Sequence, residues 1–304
     1  MKRTDKWFRI LFSLALTAFT VYALLDTFVI ARVYETVEQT AALRVGDAGA
    51  ETLSAQACES AAEPVVSETC YDDGQLRIQI ETYRYAESNV YVADIQTTDP
   101  QALLTAFAQS SYGRNVTAAT SETAEEVGAV LAVNGDNYGS RETGYVIRNG
   151  VLYRDSAARD QEDLVIWADG SFSIIQESEV TAQELLEQGA VQVFSFGPGL
   201  LEDGELLVGT GDEVDRAKAS NPRTAIGFIG EGHYVLVVSD GRTEESEGLS
   251  LYELALFLKE LGVSTAYNLD GGGSSTMVFL GRVVNVPTSG RSVKERAVTD
   301  IIYV

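Results

Sequence analysis

The sequence predicts an α+β fold, with a strand-rich mixed-sheet domain and a few packed helices that follow one N-terminal transmembrane helix. Three observations support this fold class. An uncharged apolar stretch lies near the N-terminus, apolar and polar residues alternate in many segments after Leu76, and only a few segments have helical periodicity. Of the 304 residues, 45% are hydrophobic, which is enough to form a core and excludes disorder over the full length.

Composition also excludes several functional classes. The chain has 22 basic and 45 acidic residues, a formal net charge of −23. Proteins bind nucleic acids largely by neutralising their phosphates with basic side chains, so we predict that this acidic chain has no nucleic-acid partner. One histidine and two cysteines exclude zinc sites of the His₃, Cys₄ or Cys₂His₂ kind. His233 is predicted to lie on a hairpin and is given no role.

The N-terminus is predicted to be a membrane anchor. Residues 1–9 carry four basic side chains, and no charge occurs from Ile10 to Leu25. Residues 10–31 are long enough to span a bilayer if Asp26 lies near the outer interface. A cleaved signal peptide is the alternative, but no convincing small-x-small cleavage site follows Leu25. The basic flank places residues 1–9 in the cytoplasm and the remainder outside, so we predict a single-pass protein of the cell membrane with an extracytoplasmic domain.

Residues 32–74 are interpreted as an extracytoplasmic stalk or linker. They are rich in Ala, Glu, Thr and Ser and show little periodicity. Cys58 and Cys70 lie within this range, and two nearby cysteines outside the membrane can form a disulfide. We therefore predict that they are paired. Two unpaired thiols in a mobile stalk are the alternative.

The domain is predicted to occupy residues 75–304 and to begin with two strands. Period-two alternation from Leu76 and again from Asn89 indicates a hairpin that turns near Ala86. Asp99 and Pro100 then have the N-cap and N1 pattern of a short helix. Further strands are predicted at 128–134, 144–154, 164–168, 172–176, 191–196, 223–230, 233–240, 265–269, 275–280 and 298–304.

Two further helices are predicted by capping boxes. The first begins at Thr181 with Glu184 and ends at Gly189. The second begins at Ser250 with Glu253 and ends at Gly262. Its apolar residues lie on one face, which indicates packing against a sheet.

The segment from Asp270 to Ser275 is the strongest candidate for a functional site. An apolar strand ends at Asp270 and is followed by Gly271, Gly272, Gly273, Ser274 and Ser275. Consecutive glycines carry a cost in conformational entropy. They are therefore expected where the backbone must adopt unusual torsion angles or lie close to a ligand. Their N–H groups could form an anion-binding nest beside Asp270. The alternative is a hairpin turn in which Asp270 caps backbone N–H groups.

Three other segments place polar residues at strand ends. Asn134 and Asp136 follow the strand that ends near residue 134, where an Asx turn is the alternative. Arg223 and Thr224 open a strand after Pro222, and an arginine can bind a phosphate or carboxylate through two hydrogen bonds. A surface ion pair is the alternative for Arg223. The fourth segment is a polar loop that contains Arg296 and leads into the last strand.

Together these segments resemble the phosphodiester glycosidase family. The resemblance rests on Asn134-Gly-Asp-x-Tyr, Arg223-Thr-Ala-Ile-Gly, Leu269-Asp-Gly-Gly-Gly-Ser-Ser-Thr and Glu295-Arg-x-Val, in that order. The resemblance covers roughly residues 75–304. The family includes exported bacterial relatives associated with exopolysaccharide synthesis. One departure is Asn137, at which members commonly have an aromatic residue. The anchor and stalk lie outside the resemblance.

The resemblance implies an exported hydrolase that cleaves the glycosidic bond of a sugar-1-phosphodiester in an envelope or extracellular glycan. Glycosidases usually use two carboxylates, but a phosphate leaving group is already a stable anion and needs less acid assistance. Asp270 and Asp136 are the predicted catalytic carboxylates. The predicted substrate-binding residues are Asn134, Arg223, Thr224, Gly271, Gly272, Gly273, Ser274, Ser275 and Arg296.

No cofactor is expected to be required, but Ca²⁺ or Mg²⁺ bound by Asn134, Asp136 and Asp270 is an open alternative. The predicted partners are a phosphodiester-linked sugar or glycan and the membrane. Two other functional classes stay open. One is a non-catalytic module that binds cell-wall polymers or exopolysaccharide, and the other is a structural envelope protein in which the four segments are only turns.

Overall fold

The computed structural model describes residues 2–38, 64–212, 220–290 and 292–304, with side chains from residue 7 onward. Its α-helices are Lys2–Phe28, Thr120–Val127, Ala182–Glu187 and Leu251–Glu260. Three short 3₁₀ helices are Ala108–Ser110, Tyr138–Ser140 and Gly272–Ser274. The remaining regular structure is β-strand, which confirms the predicted strand-rich α+β domain with a few packed helices.

A nine-stranded sheet forms the centre of the domain. Every pairing within it is antiparallel. In spatial order its strands are Glu205–Leu206, Gly199–Glu202, Thr265–Asn268, Arg223–Gly230, His233–Ser239, Ser88–Thr97, Leu76–Tyr85, Cys70–Asp72 and Val65–Val66. The last two strands lie inside the range predicted as stalk, so the sheet begins before residue 75. Cys58 lies outside the described residues, and its pairing with Cys70 stays a prediction.

Two five-stranded sheets flank this centre. The first has the order Val151–Arg154, Val146–Arg148, Ala190–Phe194, Glu162–Trp167 and Phe172–Gln176. The second has the order Arg282–Val283, Met277–Phe279, Leu131–Asn134, Asp300–Tyr303 and Leu104–Phe107. Two further pairs are Arg32–Thr36 with Ser111–Arg114 and Thr288–Ser289 with Ser292–Val293. The pairings in these sheets are also antiparallel.

The main core lies where the nine-stranded sheet meets both five-stranded sheets. Ile95, Leu236 and Tyr267 of the central sheet pack in one cluster with Leu164 and Leu131 of the flanking sheets, and all five are fully buried. The opposite face of the central sheet is covered by the helix Leu251–Glu260, as its apolar face predicted. Burial on both faces of the central sheet therefore stabilises the strands Thr265–Asn268 and Arg223–Gly230, beside which two of the polar motifs lie.

One predicted helix is replaced by a turn, and one observed helix was not predicted. Residues 99–103 form a turn rather than a short helix, in which Asp99 Oδ1 accepts a hydrogen bond of 2.9 Å from the N–H of Gln101. The following strand Leu104–Phe107 pairs with Asp300–Tyr303, and this long-range pairing leaves too few residues for a helix. The helix Thr120–Val127 was not predicted. It begins after Ala119, which has no side chain suited to capping, although Gly128 ends it with a φ of 68°.

The N-terminal helix includes an apolar stretch, Trp7–Phe28, with a mean hydropathy of 1.9. This length and composition are sufficient to cross a membrane, and a signal sequence would meet the same criteria.

Candidate active site

The buried side chain of Asn134 connects three of the four motif segments. Its Nδ2 donates to the carbonyl oxygen of Asp270 at 2.6 Å, and its Oδ1 accepts from Thr224 Oγ1 at 2.8 Å. The N–H of Thr276 is 3.3 Å from the same Oδ1. Asn134 and Thr224 are both fully buried. They therefore hold the strand ends together, and their polar atoms are engaged with each other rather than exposed to a ligand.

Asp270 lies at the edge of this junction with its carboxylate bound by two donors. Its Oδ2 accepts from Ser274 Oγ and from Arg296 Nη2, both at 2.6 Å. The residue is 7% exposed. Burial raises the pKa of Asp270 above the usual carboxyl value, while Arg296 and the Ser274 hydroxyl act in the opposite direction. A nearly buried carboxylate that keeps one cation as its partner is suited to reaction chemistry.

Arg296 is held in place by hydrogen bonds and is still partly exposed. The preceding residue, Glu295, accepts hydrogen bonds from the N–H and hydroxyl of Ser121 at 3.0 and 2.6 Å, which ties the loop to the start of the helix Thr120–Val127. Arg296 Nε donates to Ser274 Oγ at 2.8 Å. Its side chain is nevertheless 43% exposed. The guanidinium can therefore bind an anion beside Asp270 without rearrangement of the loop.

The glycine run forms a tight turn rather than an open nest. Gly272 has a φ of 62°, and its N–H donates to the Pro222 carbonyl at 2.7 Å. A Cβ at Gly271 would lie 2.9 Å from that carbonyl oxygen, so the turn requires glycine there. The N–H groups of Ser274 and Ser275 donate to carbonyls within the turn. Three of the N–H groups that a nest would use are thus already bonded, while the Ser275 hydroxyl is buried with no partner among the described residues.

Arg223 lies behind the turn. It is 4% exposed, and its Nε donates to the carbonyl of Leu249 at 2.8 Å. A Cβ at Gly271 would be 3.8 Å from its Cδ. The structure therefore brings Arg223 to the site, but as a buried support behind Gly271.

A different arginine, Arg242, covers the turn from the exposed side. Its Nη2 is 2.9 Å from the position that a Cβ of Gly272 would occupy. Both Nε and Nη2 donate to Asn221 Oδ1, at 3.1 and 2.8 Å. Arg242 forms no ion pair with the part of the chain that the structure describes. Arg242 was not predicted as a site residue, although it follows Asp240-Gly at a strand end.

Asp136 lies in a separate, fully buried ion cluster. Its Oδ1 is 2.7 Å from Arg148 Nη2, and its Oδ2 accepts from the N–H of Ser195 at 2.9 Å. Asp300 Oδ2 is 3.0 Å from the same Arg148 Nη2. Burial and the charge of Asp136 raise the pKa of Asp300 to about 7, with Arg148 opposing the shift. The structure thus joins Asp136 to Arg148 and Asp300, while its neighbour Gly135 accepts a hydrogen bond from the N–H of Asp270 through its carbonyl oxygen.

The loop after Asp136 contributes one more cation. Asn137 is half-buried with a left-handed φ of 58°. Arg141 donates to the carbonyl of Ser195 at 3.1 Å, and its guanidinium lies 5.1 Å from the ring centre of Phe196. The charge of Arg141 also lowers the pKa of Asp270, although burial remains the dominant influence. Arg141 was not predicted, because no motif distinguishes it from other surface arginines.

Most side-chain oxygens of the predicted cation ligands already accept hydrogen bonds from the protein. Asn134 Oδ1 accepts from Thr224, and both oxygens of Asp136 have protein donors. Asp270 Oδ2 is bound by Arg296. Among the described residues there is no group of three or more His, Cys, Asp or Glu side chains arranged for a metal. Ca²⁺ or Mg²⁺, which favour six or more oxygen ligands, stays an open alternative at these residues.

The fold and the four converging segments define a class of protein. The profile of the phosphodiester glycosidase family matches residues 127–304, which is more than half of the chain and contains all four segments. The chain belongs to this family.

Its relatives include proteins from bacteria and animals. The chain is 34% identical over 182 residues to the SPbeta prophage-derived uncharacterized protein YomE of Bacillus subtilis, covering 58% of this chain and 28% of that protein. It is 30% identical over 188 residues to mouse N-acetylglucosamine-1-phosphodiester alpha-N-acetylglucosaminidase, covering 56% and 36%. The chain thus spans about a third of the length of these curated relatives.

Solved structures show the same fold. The catalytic domain of zebrafish N-acetylglucosamine-1-phosphodiester alpha-N-acetylglucosaminidase, auto-inhibited by its pro-peptide, aligns with a TM-score of 0.58 and 24% identity, covering 76% of this chain and 82% of that one. A hypothetical protein from Synechocystis also aligns with a TM-score of 0.58, at 15% identity, covering 75% and 62%.

Proposed function

We propose that the protein is a membrane-anchored, extracytoplasmic hydrolase that cleaves the glycosidic bond of a sugar-1-phosphodiester. One observation carries the proposal. Asp270, nearly buried and with a raised pKa, shares the site with the partly exposed Arg296, and Arg242 Nη2 lies 2.9 Å from the Cβ position of Gly272. Family membership and the names of the animal relatives support this substrate class.

The reaction needs one group for the sugar and others for the phosphate. Asp270 acts at the anomeric carbon, either as nucleophile or as the base that activates water. Arg296 and Arg242 bind the phosphate oxygens, which carry the charge released as the bond breaks. Asp136 acts as a positioning residue, because its carboxylate is already bound to Arg148 and the Ser195 N–H. The phosphate leaves as an anion, so no strong general acid is required.

The function can be tested with the full-length protein in detergent and UDP-N-acetylglucosamine as substrate. We expect release of free N-acetylglucosamine together with UDP, measured by chromatography of the products. Binding of UDP-N-acetylglucosamine without release of sugar would instead support the non-catalytic module. Neither binding nor hydrolysis with this and several other sugar-1-phosphodiesters would overturn the proposal.

Arg242→Gln tests the exposed phosphate contact. We expect kcat/KM for UDP-N-acetylglucosamine to fall about tenfold or more, because a charged hydrogen bond to the phosphate is lost and this phosphate gains charge in the transition state. Arg282→Gln is the matched control, since it removes the same charge from a side chain that is 77% exposed and paired with Glu68. Equal kcat/KM values for the two variants would show that Arg242 does not contact substrate.

A further inference from the structure

The end of the N-terminal helix is fastened to the domain. The helix ends at Phe28, and the carbonyl oxygens of Thr27 and Ile30 each accept a hydrogen bond of 3.2 Å from Asn115 Nδ2. Asn115 has a φ of 54°, a left-handed conformation that asparagine tolerates well. The bond to Thr27 satisfies one of the carbonyls that a helix end leaves without an internal partner.

A strand follows the helix after only three residues. Arg32–Thr36 pairs with Ser111–Arg114, with Val33 opposite Gly113. A Cβ at Gly113 would lie 2.2 Å from the carbonyl oxygen of Arg32, so glycine permits this close approach. Arg32 also forms an ion pair with Asp26 of the helix. The first residues of the range predicted as a stalk are therefore part of the domain, and the link to the helix spans at most about 11 Å.

The same attachment reaches the loop of the candidate site. The N–H of Asn115 donates to the carbonyl of Gly139 at 3.3 Å, and Arg114 Nη1 is 2.5 Å from Glu142 Oε1. The loop between these contacts carries Arg141. At its other end, the carbonyl of Gly135 accepts from the N–H of Asp270 at 3.3 Å. Counted along these bonds, Asp270 lies at most about 30 Å from the end of the helix.

The attachment exposes several apolar side chains beside the charged Arg32 and Glu35. Val29, Ile30, Val33 and Tyr34 are 65%, 41%, 55% and 60% exposed. Apolar side chains together with a tyrosine directly after a span are typical of the membrane interface, where an aromatic ring lies at headgroup level. With the helix in a membrane, these exposed side chains would face the bilayer, and the loop 137–142, which contacts Asn115 and Arg114, would lie on the same side of the domain.

From this arrangement we infer that the substrate is a sugar-1-phosphodiester whose aglycone is a lipid of the same membrane. The inference rests on the proposed function, including its anchored form. A long flexible stalk would favour soluble substrates as much as membrane-bound ones. A domain that is fastened at the helix end, with its site loop next to the attachment, instead reaches a phosphate located at the headgroup level. In this arrangement Arg141, Arg242 and Arg296 bind the phosphate at the bilayer surface.

The test separates the domain from the membrane without altering the site. Twelve Gly and Ser residues are inserted between Ile30 and Ala31, together with Asn115→Gly, which keeps the positive φ but removes the side chain. The insertion adds a mean span of about 19 Å. Asn115→Gly alone is the matched control. Each protein is reconstituted into vesicles and assayed with two substrates, the hexadecyl and the methyl diesters of N-acetylglucosamine-1-phosphate.

We expect the insertion variant to hydrolyse the membrane-bound hexadecyl diester at least about fivefold more slowly than the parent, since the effective concentration falls as the tether lengthens. Hydrolysis of the soluble methyl diester should stay within about twofold. Equal loss on both substrates, or on neither, would overturn the inference while leaving the hydrolase function in place. A parent that cleaves neither substrate would overturn the function and with it the substrate.

A second measurement needs no turnover. A fluorophore is attached at Thr143→Cys, with Cys58 and Cys70 replaced by serine, in vesicles that contain a lipid with a nitroxide headgroup. Thr143 follows Glu142 and is exposed, so the label leaves the Arg114–Glu142 ion pair in place. Strong quenching is expected in the otherwise unchanged chain and weak quenching in the insertion variant. Equal quenching in the two proteins would show that the site loop is not held at the membrane surface.

Discussion

Asp270→Asn is expected to lower kcat for a sugar-1-phosphodiester by a factor on the order of 10²–10⁴, the usual contribution of a positioned acid or base. Asparagine keeps the shape of the side chain and can still accept from Ser274, but it cannot act as nucleophile or base. Because the parent carboxylate is nearly buried and burial raises its pKa, loss of the charge should cost little folding free energy. Initial rates and urea unfolding curves measure the two effects.

The control is Asp240→Asn, another buried carboxylate whose pKa is raised by burial. Asp240 accepts from Tyr91 and from the N–H of Val286, and it is not among the donors or acceptors around Asp270. This variant should keep most of the activity. An Asp270→Asn protein as active as the parent on several diesters would show that another group acts at the anomeric carbon.

The effect of Arg296 on the pKa of Asp270 can be measured from the pH dependence of kcat. Activity requires ionised Asp270, so the rate should rise with pH through its pKa, which burial raises above the usual carboxyl value. Arg296 lowers that pKa, and Arg296→Gln should therefore move the acid limb of kcat to higher pH as well as weaken phosphate binding. A limb that stays in place would argue against Asp270 as the titrating group.

Arg148→Met is expected to produce the largest loss of stability in the domain. The change roughly preserves volume but leaves the carboxylates of Asp136 and Asp300, both fully buried, without their shared cation. Removing one partner from a buried ion cluster typically costs about 3–5 kcal/mol. Urea unfolding at pH 8 measures the difference. A loss below about 1 kcal/mol would show that the cluster does not stabilise the fold.

The pH dependence of this loss follows from the direction of the pKa shift. Asp300 has a folded pKa of about 7, above its unfolded value, so the folded state binds the proton more tightly. Its contribution to stability therefore falls as pH rises from about 4 to about 7 and is constant above that range. Arg148→Met should extend this fall to higher pH, because without the opposing cation the folded pKa of Asp300 is raised further. Asp300→Asn should flatten the dependence in the same pH range.

Much of the site could be predicted from the sequence because its residues follow short apolar strands. Asp270 with its glycine run, Asn134 and Arg223 each stand at the end of a strand, and the structure brings all three segments together. Alternation with period two predicted most strands of the domain, and two capping boxes predicted two helices. These signals are local, so a sequence contains them whatever the rest of the chain does.

What the sequence by itself determined is the strand-rich fold class, the apolar N-terminal helix, the family and the position of Asp270. Only the tertiary structure decided which charges meet. Arg148 pairs with Asp136 and Asp300 from positions 12 and 152 residues away along the chain, and Arg242 reaches Gly272 from another loop. The attachment of the helix end to Asn115 has no local signal either. Pairings of this kind depend on the long-range packing of strands, which residue spacing along the chain does not encode.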